Sequence, residues 1–297
     1  MVALDKDVVQ VTRFIRKMRG GSQPILVEAS DGVLYVLKFI NSSQGSNLLF
    51  NESMGTELYK SCKLPVPPWK PVLLTSRFIA RNPGCWAETE NGARQPEAKL
   101  CFGSQFLGQS GHKSLEILPR TSHQRIENLA DFWLAWLLDI CFEHADNRQA
   151  VFTEAGGKNL LAWFIDMGNM FRGEAGDRRV NFCIPRYFDS RIYTDIKSKD
   201  DFGFWDTIHR FDGEALWQRV RLLPADWISA TGLGAFANGL DLFLDSRRVG
   251  RILDAMIGEQ KRRNEADREK MRRAAAIRPA ILCDSIFPKS TVGSGAA

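Results

Sequence analysis

The chain has 297 residues, of which 44% are hydrophobic and 25% are charged, and its formal net charge is +5. This composition is typical of a globular protein in water, and the length accommodates one two-lobed domain or two small ones. No apolar run reaches the roughly 18–20 residues that a membrane-spanning helix needs, and the N-terminus lacks the charged and apolar regions of a secretory signal. We therefore expect a cytoplasmic protein that makes no membrane contact.

Cysteine content and net charge indicate the redox compartment of the protein and the kind of ligand that it can bind. The six cysteines lie far apart, no CxxC pair occurs, and the four histidines give no zinc-binding spacing. Such cysteines are expected to be free thiols in a reducing compartment. The mild positive charge suits an acidic ligand such as a nucleotide, but it does not support direct nucleic-acid binding. The charged segment 258–275 carries both signs, which favours a solvated helix over a nucleic-acid arm.

The N-terminal segment predicts a small antiparallel sheet. Residues 25–30 and 33–40 are strand-like, and the Asp31-Gly32 pair between them is a hairpin signal. Residues 9–19 precede them as a strand or a short helix. The turn that joins 9–19 to 25–30 contains glycines, which permit close backbone approach, and successive backbone N–H groups bind anions. This turn is therefore a candidate flap over phosphate groups, made of Gly20, Gly21, Ser22 and Gln23.

Four further segments complete the predicted architecture. Residues 47–62 carry apolar side chains at helical spacing, and the prolines after Leu64 end that helix. Residues 126–142 are apolar around most of their circumference, which predicts a buried helix. Residues 83–114 are rich in Gly, Asn, Gln and Ser and are expected to be irregular, while residues 203–265 are expected to be mainly helical. We therefore expect an α+β protein with a β-rich lobe at 1–118, a helical lobe at 119–278 and a disordered tail at 279–297.

One basic residue stands at a position suited to binding phosphate. Lys38 lies near the end of the apolar strand 33–40. A lysine on a rigid strand can supply positive charge to the α- and β-phosphates of a nucleotide. Glu52 and Glu57 on the next helix are two candidates for holding its ammonium group. Glu52 is preferred because it follows the preceding loop closely.

Two acids stand at positions suited to phosphoryl transfer. Asp146 lies in a polar loop directly after the buried helix, and Asp166 ends a hydrophobic strand about twenty residues later. Asp146 can orient or deprotonate an accepting hydroxyl, and Arg148 can pair with Asp146 or with phosphate oxygens. Hard carboxylate and amide oxygens suit Mg²⁺. Asp166 and Gln149 are therefore the candidate metal ligands, with Gly168 supplying a tight turn.

Several segments together carry a family resemblance: Arg19-Gly-Gly-Ser-Gln-Pro24, Tyr35-Val-Leu-Lys38-Phe39, Asn51-Glu52 followed by residues 63–68, the buried helix before Asp146, and Phe164-Ile-Asp166-Met-Gly168. At these residues the chain resembles the HipA-like branch of the protein-kinase-like superfamily and, more distantly, the phosphatidylinositol kinases. The resemblance implies a bilobal α+β fold with a small antiparallel-sheet N-lobe and a mainly helical C-lobe. It also implies ATP and Mg²⁺ as cofactors and phosphorylation of serine or threonine. Some family members are toxins paired with a DNA-binding antitoxin, so a regulator protein is an implied partner.

Residue by residue, the resemblance implies four roles. Lys38 is similar to the phosphate-binding lysine of the family, and Glu52 is similar to its partner on the helix. Asp146 is similar to the catalytic aspartate, and Asp166 is similar to the metal-binding aspartate. The loop after Asp146 is shorter than the family pattern and has Gln149 where an asparagine is usual, although glutamine keeps an amide oxygen.

Three functional interpretations stay open at the level of sequence. The leading one is an active kinase that transfers the γ-phosphate of ATP to a hydroxyl, with protein serine or threonine as the first expectation. The alternative is a catalytically weak, pseudokinase-type module that binds nucleotide or scaffolds a partner, which the short loop and Gln149 favour. A third is a plain α+β interaction protein that does not respond to ATP and Mg²⁺. A protein acceptor, a small-molecule acceptor and self-phosphorylation are not distinguished.

Overall fold

The computed structural model describes residues 7–45, 47–89, 92–108, 114–156, 158–171, 187–193 and 205–283, together with residues 185, 196, 198 and 203. In the last helix, side chains are described as far as residue 273. Of the tail predicted to be disordered, residues 279–283 continue that helix, and residues 284–297 lie outside the described residues.

Within these residues, eight strands with two helices among them are followed by one helix, a β-hairpin and four further helices. The strands are β1 (Val9–Lys17), β2 (Ile25–Ala29), β3 (Leu34–Lys38), β4 (Trp69–Leu73), β5 (Ala87–Thr89), β6 (Gly92–Arg94), β7 (Leu100–Gln105), β8 (Ser114–Leu115), β9 (Gln149–Gly156) and β10 (Asn159–Ile165). The α-helices are α1 (Leu48–Ser61), α2 (Ser76–Arg81), α3 (Asp131–Cys141), α4 (Trp205–His209), α5 (Gly213–Leu222), α6 (Ala230–Leu244) and α7 (Ser246–Cys283).

The N-terminal sheet closes on itself. Its strand order is β1-β2-β3-β7-β4, with β1 next to β4. Most neighbours are antiparallel, as the sequence predicts, but β1 and β4 pair in parallel through Val9 with Val72 and Gln10 with Leu73. The inward side chains of the strands, such as Val27, are fully buried. The small antiparallel sheet of the prediction is therefore present, but a short parallel pairing turns it into a barrel.

Strand β7 lies inside the segment 83–114, which the sequence predicted to be irregular. It pairs with β3 on one side and β4 on the other, so it is a central strand of the closed sheet. A Cβ on Gly103 would lie 3.2 Å from both Leu37 Cδ2 and the Lys70 carbonyl oxygen. Glycine is therefore needed for this close packing, and it interrupts the hydrophobic alternation from which strands are predicted.

Helix α1 forms where the sequence predicts it and is buried on nearly all sides. Leu49, Met54 and Leu58 belong to the larger of two hydrophobic clusters, which also contains α3 and the C-terminal helices. The smaller cluster fills the closed sheet. Although α1 falls within the predicted lobe at 1–118, it shares its core with the chain that follows residue 119.

Helix α3 is buried all round, as its sequence predicts, but it begins at Asp131 rather than at residue 126. The preceding residues are used by strand β10 instead. Ile126 forms an isolated bridge with Leu160, and the Glu127 N–H donates to the Leu160 carbonyl at 2.9 Å. These tertiary hydrogen bonds compete with the local helical pattern, so the helix starts later than its apolar periodicity does.

The β9–β10 hairpin brings two polar loops to one end. Gln149 at the start of β9 pairs with Ile165 at the end of β10. The loop that leaves α3 therefore ends next to the place where β10 stops. Because the hairpin holds this register along six consecutive pairs, from Leu160 with Glu154 to Ile165 with Gln149, the residues just before β9 and just after β10 must meet.

The C-terminal region at 203–265 is mainly helical, as predicted. Helices α5 and α6 begin at side-chain caps, since Asp212 accepts a hydrogen bond from the Ala215 N–H at 3.0 Å and Ser229 accepts one from the Gly232 N–H at 2.9 Å. Such caps satisfy backbone donors that the first helical turn leaves free.

None of the helices within the described ranges combines the length and the apolarity needed to cross a bilayer.

Cys62, Cys85, Cys101 and Cys141 are buried, free thiols. Cys62 and Cys141 lie in the larger hydrophobic cluster, whereas Cys85 and Cys101 lie in the smaller one. Burial raises the pKa of all four thiols. Each hydrophobic core therefore contains two protonated thiols.

Candidate functional site

A cleft of about 770 Å³ opens between the closed sheet and the β9–β10 hairpin. Val36 and Phe102 of the sheet and Ala150 and Ile165 of the hairpin contribute apolar surface to it. Clefts of this size, with mostly apolar walls and a few polar groups, typically hold small molecules or cofactors. The polar groups in this cleft include Lys38, Glu52, Gln149 and Asp166.

Lys38 bridges two carboxylates within the cleft. It is the last residue of β3, while Glu52 lies on α1 and Asp166 follows β10. The Lys38 Nζ donates to Glu52 Oε1 and lies 2.5 Å from Asp166 Oδ1. Two consecutive elements, β3 and α1, and a residue 128 positions after Lys38 therefore converge on one ammonium group.

Burial and charge act in opposite directions on this cluster. Burial alone would lower the pKa of the Lys38 ammonium, but the carboxylates of Glu52 and Asp166 outweigh it and raise that pKa. Burial alone would raise the pKa of the Asp166 carboxyl, but the charge of Lys38 outweighs it and lowers that pKa. Lys38 and Asp166 are therefore both charged at neutral pH.

Glu57, the other acid considered as a partner of the lysine, is used elsewhere. Its Oε1 accepts a hydrogen bond from Trp69 Nε1 at 2.9 Å. Its Oε2 lies 3.7 Å from Arg219 Nε. Of the two candidates on α1, the geometry therefore favours Glu52.

The turn after β10, residues 166–170 (the Asp166 turn), is held against α1. Asn51 Nδ2 donates to the Gly168 carbonyl at 2.8 Å, and the Met167 N–H donates to Glu52 Oε2 at 3.3 Å. A Cβ on Gly168 would approach Glu52 Oε1 to 2.9 Å. The predicted tight turn therefore needs its glycine for this close approach, and α1 positions both Lys38 and the Asp166 turn.

The Asp166 carboxylate and the Gln149 side-chain amide are in direct contact. Gln149 Nε2 donates to Asp166 Oδ2 at 2.6 Å. The backbone of Asp166 has a φ of 62°, a left-handed conformation that costs energy for a residue with a Cβ and that concentrates at functional sites. A carboxylate next to a side-chain amide fits Mg²⁺, which usually takes one or two protein ligands and completes its octahedron with water and phosphate oxygens.

Asp146 is exposed, beside Asn147, which lines the cleft. Its Oδ1 accepts a hydrogen bond from the Asn147 N–H at 2.7 Å, and its Oδ2 accepts one from Asn169 Nδ2 at 3.3 Å. The Ala145 N–H donates to the Asn169 carbonyl at 2.8 Å. The loop at residues 144–148 (the Asp146 loop) and the Asp166 turn are therefore bonded directly to each other.

Arg148 does not pair with Asp146, which corrects one of the contacts that the sequence suggested. Its guanidinium is buried and donates to the Asp139 carboxylate of α3 through both Nε and Nη2. Its Nη1 donates to the Ile165 carbonyl at 3.2 Å. A buried carboxylate needs a charged partner, so Arg148 serves Asp139 and ties α3 to the end of β10.

The glycine-containing turn faces the cleft in part. Of its four candidate residues, Gly20 and Ser22 line the cleft. The Gln23 side chain turns away, since its Nε2 donates to the Glu88 carbonyl at 2.6 Å and its Oε1 accepts from the Glu88 N–H at 2.7 Å. Gly21 packs against another loop, where a Cβ would come within 2.9 Å of Gln44 Nε2. Gly20 and Ser22 are therefore the better candidates for ligand contact.

His144 is fully buried in the Asp146 loop. Neither ring nitrogen has a hydrogen-bond partner among the described residues. Burial first, and then the charge of Arg148, lower the pKa of this imidazole from 6.5 to about 4. The ring is therefore neutral at physiological pH, and its Nδ1 lies 3.9 Å from Asp139 Oδ1.

Asn169 belongs to the site, although sequence reasoning did not single it out. It contacts Asp146 from the Asp166 turn, 23 residues further along the chain. The available signal was a side-chain amide directly after the turn glycine. That signal is weak, because asparagine is common in turns for local reasons.

The arrangement of the closed sheet, α1, the hairpin and the helical region is that of a kinase-like α+β fold. A proinflammatory kinase of Helicobacter pylori, CtkA, matches with a TM-score of 0.52 and 13% identity over 84% of this chain and 98% of that chain. The Golgi casein kinase matches with a TM-score of 0.51 and 11% identity over 86% of this chain and 74% of that chain. No protein-family model and no curated protein sequence matches the chain. At these identities the similarity establishes the fold and leaves the activity to be argued from the site.

Proposed function

We propose that the chain is a HipA-like kinase that transfers the γ-phosphate of ATP to a hydroxyl, with serine or threonine of a protein as the acceptor class. The observation that carries the proposal is the convergence of Lys38, Glu52 and Asp166 in one cleft of a kinase-like fold. Kinases hold the phosphates with a strand lysine that a helix glutamate fixes, and they hold the metal with an aspartate. The residue types and the elements that bear them fit this pattern.

Each charged residue of the cleft has a role in this proposal. Lys38 binds the α- and β-phosphates, and Glu52 keeps the ammonium in place. Asp166 and Gln149 hold Mg²⁺ through side-chain oxygens. When bound, Mg²⁺ neutralises negative charge on the β- and γ-phosphates. Asp146 accepts a hydrogen bond from the acceptor hydroxyl, orients its oxygen towards the γ-phosphorus and takes the proton. As the new O–P bond forms, the bond between the γ-phosphorus and the bridging oxygen breaks, and ADP leaves.

The rest of the cleft suits the remainder of a nucleotide. The apolar side chains of Val36, Phe102 and Ile165 offer surfaces for a flat base between the sheet and the hairpin. Gly20 and Ser22 lie where a backbone flap can approach the phosphates closely. These contacts bind the nucleotide without taking part in proton transfer.

Thermal unfolding with and without nucleotide tests binding. A ligand that binds the native state raises its apparent stability, by about 2.7 kcal/mol at a concentration of 100 Kd. ATP with Mg²⁺ should therefore raise the Tm of the wild-type chain. Lys38→Ala should show a much smaller rise. An unchanged wild-type Tm at millimolar ATP would favour the interaction-protein interpretation and contradict the proposal.

Transfer of radiolabelled γ-phosphate tests the reaction itself. Casein and the chain itself serve as protein acceptors. Asp146→Ala should keep the ATP-induced rise in Tm but lose about 10²–10⁴-fold in transfer rate, the usual contribution of a general base. Asp206→Ala removes an exposed aspartate on α4 and is the matched control. Transfer at the wild-type rate in Asp146→Ala would reject the assigned role.

A nucleotide-binding module without turnover is the second candidate, and one observation favours it. Both oxygens of Asp166 are already engaged, one by Lys38 and the other by Gln149. If these contacts persist with nucleotide bound, each Asp166 oxygen keeps only one further acceptor position for a metal ion, and metal binding is weakened. This candidate predicts a rise in Tm with ATP but no ADP formation. The kinase proposal predicts Mg²⁺-dependent ADP formation that Asp166→Ala abolishes.

A further inference from the structure

Two side-chain amides and two carboxylates are paired crosswise beside the cleft. Gln149, three residues after Asp146, donates to Oδ2 of Asp166 at 2.6 Å. Asn169, three residues after Asp166, donates to Oδ2 of Asp146 at 3.3 Å. Each acid is therefore held by the amide that follows the other acid.

The backbone around Asn169 is anchored on two sides. Its carbonyl accepts from the Ala145 N–H at 2.8 Å, which joins it to the Asp146 loop. The carbonyl of the preceding Gly168 accepts from Asn51 Nδ2 on α1, also at 2.8 Å. A side chain on such a fixed backbone can aim its amide with little loss of entropy.

The Asp146 carboxylate needs such a partner because it is exposed. A free carboxylate in water rotates about its last torsion, so an acceptor hydroxyl would meet many orientations. With the Asn147 N–H on Oδ1 and the Asn169 amide on Oδ2, one donor holds each oxygen. Each carboxylate oxygen can accept a further hydrogen bond, so the carboxylate keeps capacity for the substrate. Gln149 cannot do this work, since its amide N–H group is directed at Asp166.

We infer that Asn169 is the positioning residue for Asp146, supplying from the Asp166 turn the amide that the shortened Asp146 loop does not supply. The inference rests on the proposed phosphotransferase function, which it deepens. Asn169 acts through Asp146 and is not assigned to the reacting atoms. Gln149 stays the amide of the metal pair, so the two amides have separate tasks.

Two substitutions at one position test this assignment. Asn169→Ala removes the donor, and we expect kcat to fall about 10–100-fold, as for other partners that orient a reacting group. The KM for ATP and the ATP-induced rise in Tm should stay at wild-type values. Asn169→Asp keeps the size but cannot donate, and it sets a second negative charge beside Asp146, so its kcat should fall further. If Asn169 instead bound the metal, aspartate would be an adequate oxygen ligand and activity would survive.

Asn159 provides the matched control. It is exposed at the start of β10, and its Nδ2 donates to the Glu127 carboxylate at 3.0 Å, so it makes the same kind of hydrogen bond outside the cleft. Asn159→Ala and Asn159→Asp should keep wild-type kcat. All rates are measured at least about ten degrees below the Tm of each variant, so that loss of folded protein does not enter kcat. A destabilisation of 1 kcal/mol lowers the Tm of a domain of 150–250 residues by only about 2–4 °C.

The outcomes separate this inference from the proposed function. If wild type transfers phosphate and both Asn169 variants keep kcat to within about twofold, the inference is wrong and the proposed function stands. A change in the KM for ATP or in the Mg²⁺ requirement, with kcat unchanged, would also overturn it. If wild type transfers no phosphate, the proposed function fails and this inference falls with it.

Discussion

The Lys38 side chain compensates two carboxylates and is itself held by them. Lys38 and Glu52 are nearly closed to water, with side chains 10% and 3% exposed. Removing one partner of a buried pair leaves an uncompensated charge and typically costs about 3–5 kcal/mol. We expect Lys38→Met to lower the free energy of unfolding by about 3 kcal/mol. Urea unfolding followed by tryptophan fluorescence measures the difference.

A double substitution separates the ion pair from the packing of the lysine stem. In Lys38→Met/Glu52→Gln the more deeply buried of the two negative charges is removed together with the cation, so this variant should be more stable than Lys38→Met alone. Lys99→Met is the matched control, because Lys99 pairs with Glu97 at the surface, at 3.1 Å. It should change stability far less. A double variant no more stable than the single one would contradict the ion-pair account.

His144 predicts a pH dependence of stability. Its pKa is about 4 in the folded protein against about 6.5 in an unfolded chain, so the unfolded state binds more protons between these values. The free energy of unfolding must therefore fall as the pH drops from about 6.5 to about 4, by at most roughly 3 kcal/mol from this group. His144→Leu should flatten that slope, measured by urea unfolding at several pH values. His209→Leu, at an exposed histidine on α4, is the matched control.

At the scale of elements, helix α1 and the Asp166 turn pack so closely that one added methyl group would force them apart. A Cβ on Gly55 would lie 2.6 Å from Met167 Cβ and 2.8 Å from Met170 Sδ. Helix propensity alone would make Gly55→Ala stabilising by about 1 kcal/mol. We expect the opposite sign, a loss of about 1–3 kcal/mol from overpacking, together with slower phosphate transfer because the turn is displaced from Glu52.

Gly234→Ala is the control for that substitution. Gly234 lies on α6, and nothing lies within 4 Å of the position that its Cβ would take. This variant should gain about 0.5–1 kcal/mol from helix propensity and leave the transfer rate unchanged. Thermal unfolding of the two variants compares the signs directly. If Gly55→Ala stabilises as much as Gly234→Ala, the close packing of α1 on the Asp166 turn is not real.

Elements whose signal is local were predictable from the sequence. Strands β2 and β3, helix α1 and the C-terminal helices follow the periodicity of their apolar residues. Lys38 and Asp166 stand at the ends of such segments, so their convergence could be anticipated once a fold was supposed. The start of α3 could not be predicted, because Ile126 pairs with Leu160 of β10 instead. No pattern within residues 126–142 indicates that pairing.

Side-chain directions were the hardest part to predict, since they depend on partners elsewhere. Arg148 turns to a buried carboxylate on α3, and Gln23 turns to the backbone of β5. The contact between Asn169 and Asp146 joins two loops that meet because of the hairpin register. Local secondary-structure propensity cannot predict contacts between residues that are far apart in sequence. The catalytic and binding roles of these residues stay predictions until the variants are measured.

At the scale of the whole molecule, the cleft lies between parts of the chain that have separate cores. The closed sheet contains one hydrophobic cluster, and α1, α3 and the C-terminal helices contain the other. Lys38 comes from the sheet, and its two carboxylates come from α1 and the Asp166 turn. A ligand that binds this cluster therefore contacts both parts and should stabilise them together.

Because each hydrophobic core contains two buried thiols, the opening of the two cores can be measured separately by thiol alkylation. A maleimide reacts with a thiol only when the surrounding core opens far enough to admit it. In a background with Cys183→Ser and Cys283→Ser, alkylation of Cys85 and Cys101 would time the opening of the sheet, and alkylation of Cys62 and Cys141 would time the other core. If a ligand in the cleft couples the two cores, adding ATP should lower the alkylation rates of both thiol pairs by the same factor. A lower alkylation rate at only one thiol pair would mean that the two cores open independently of each other.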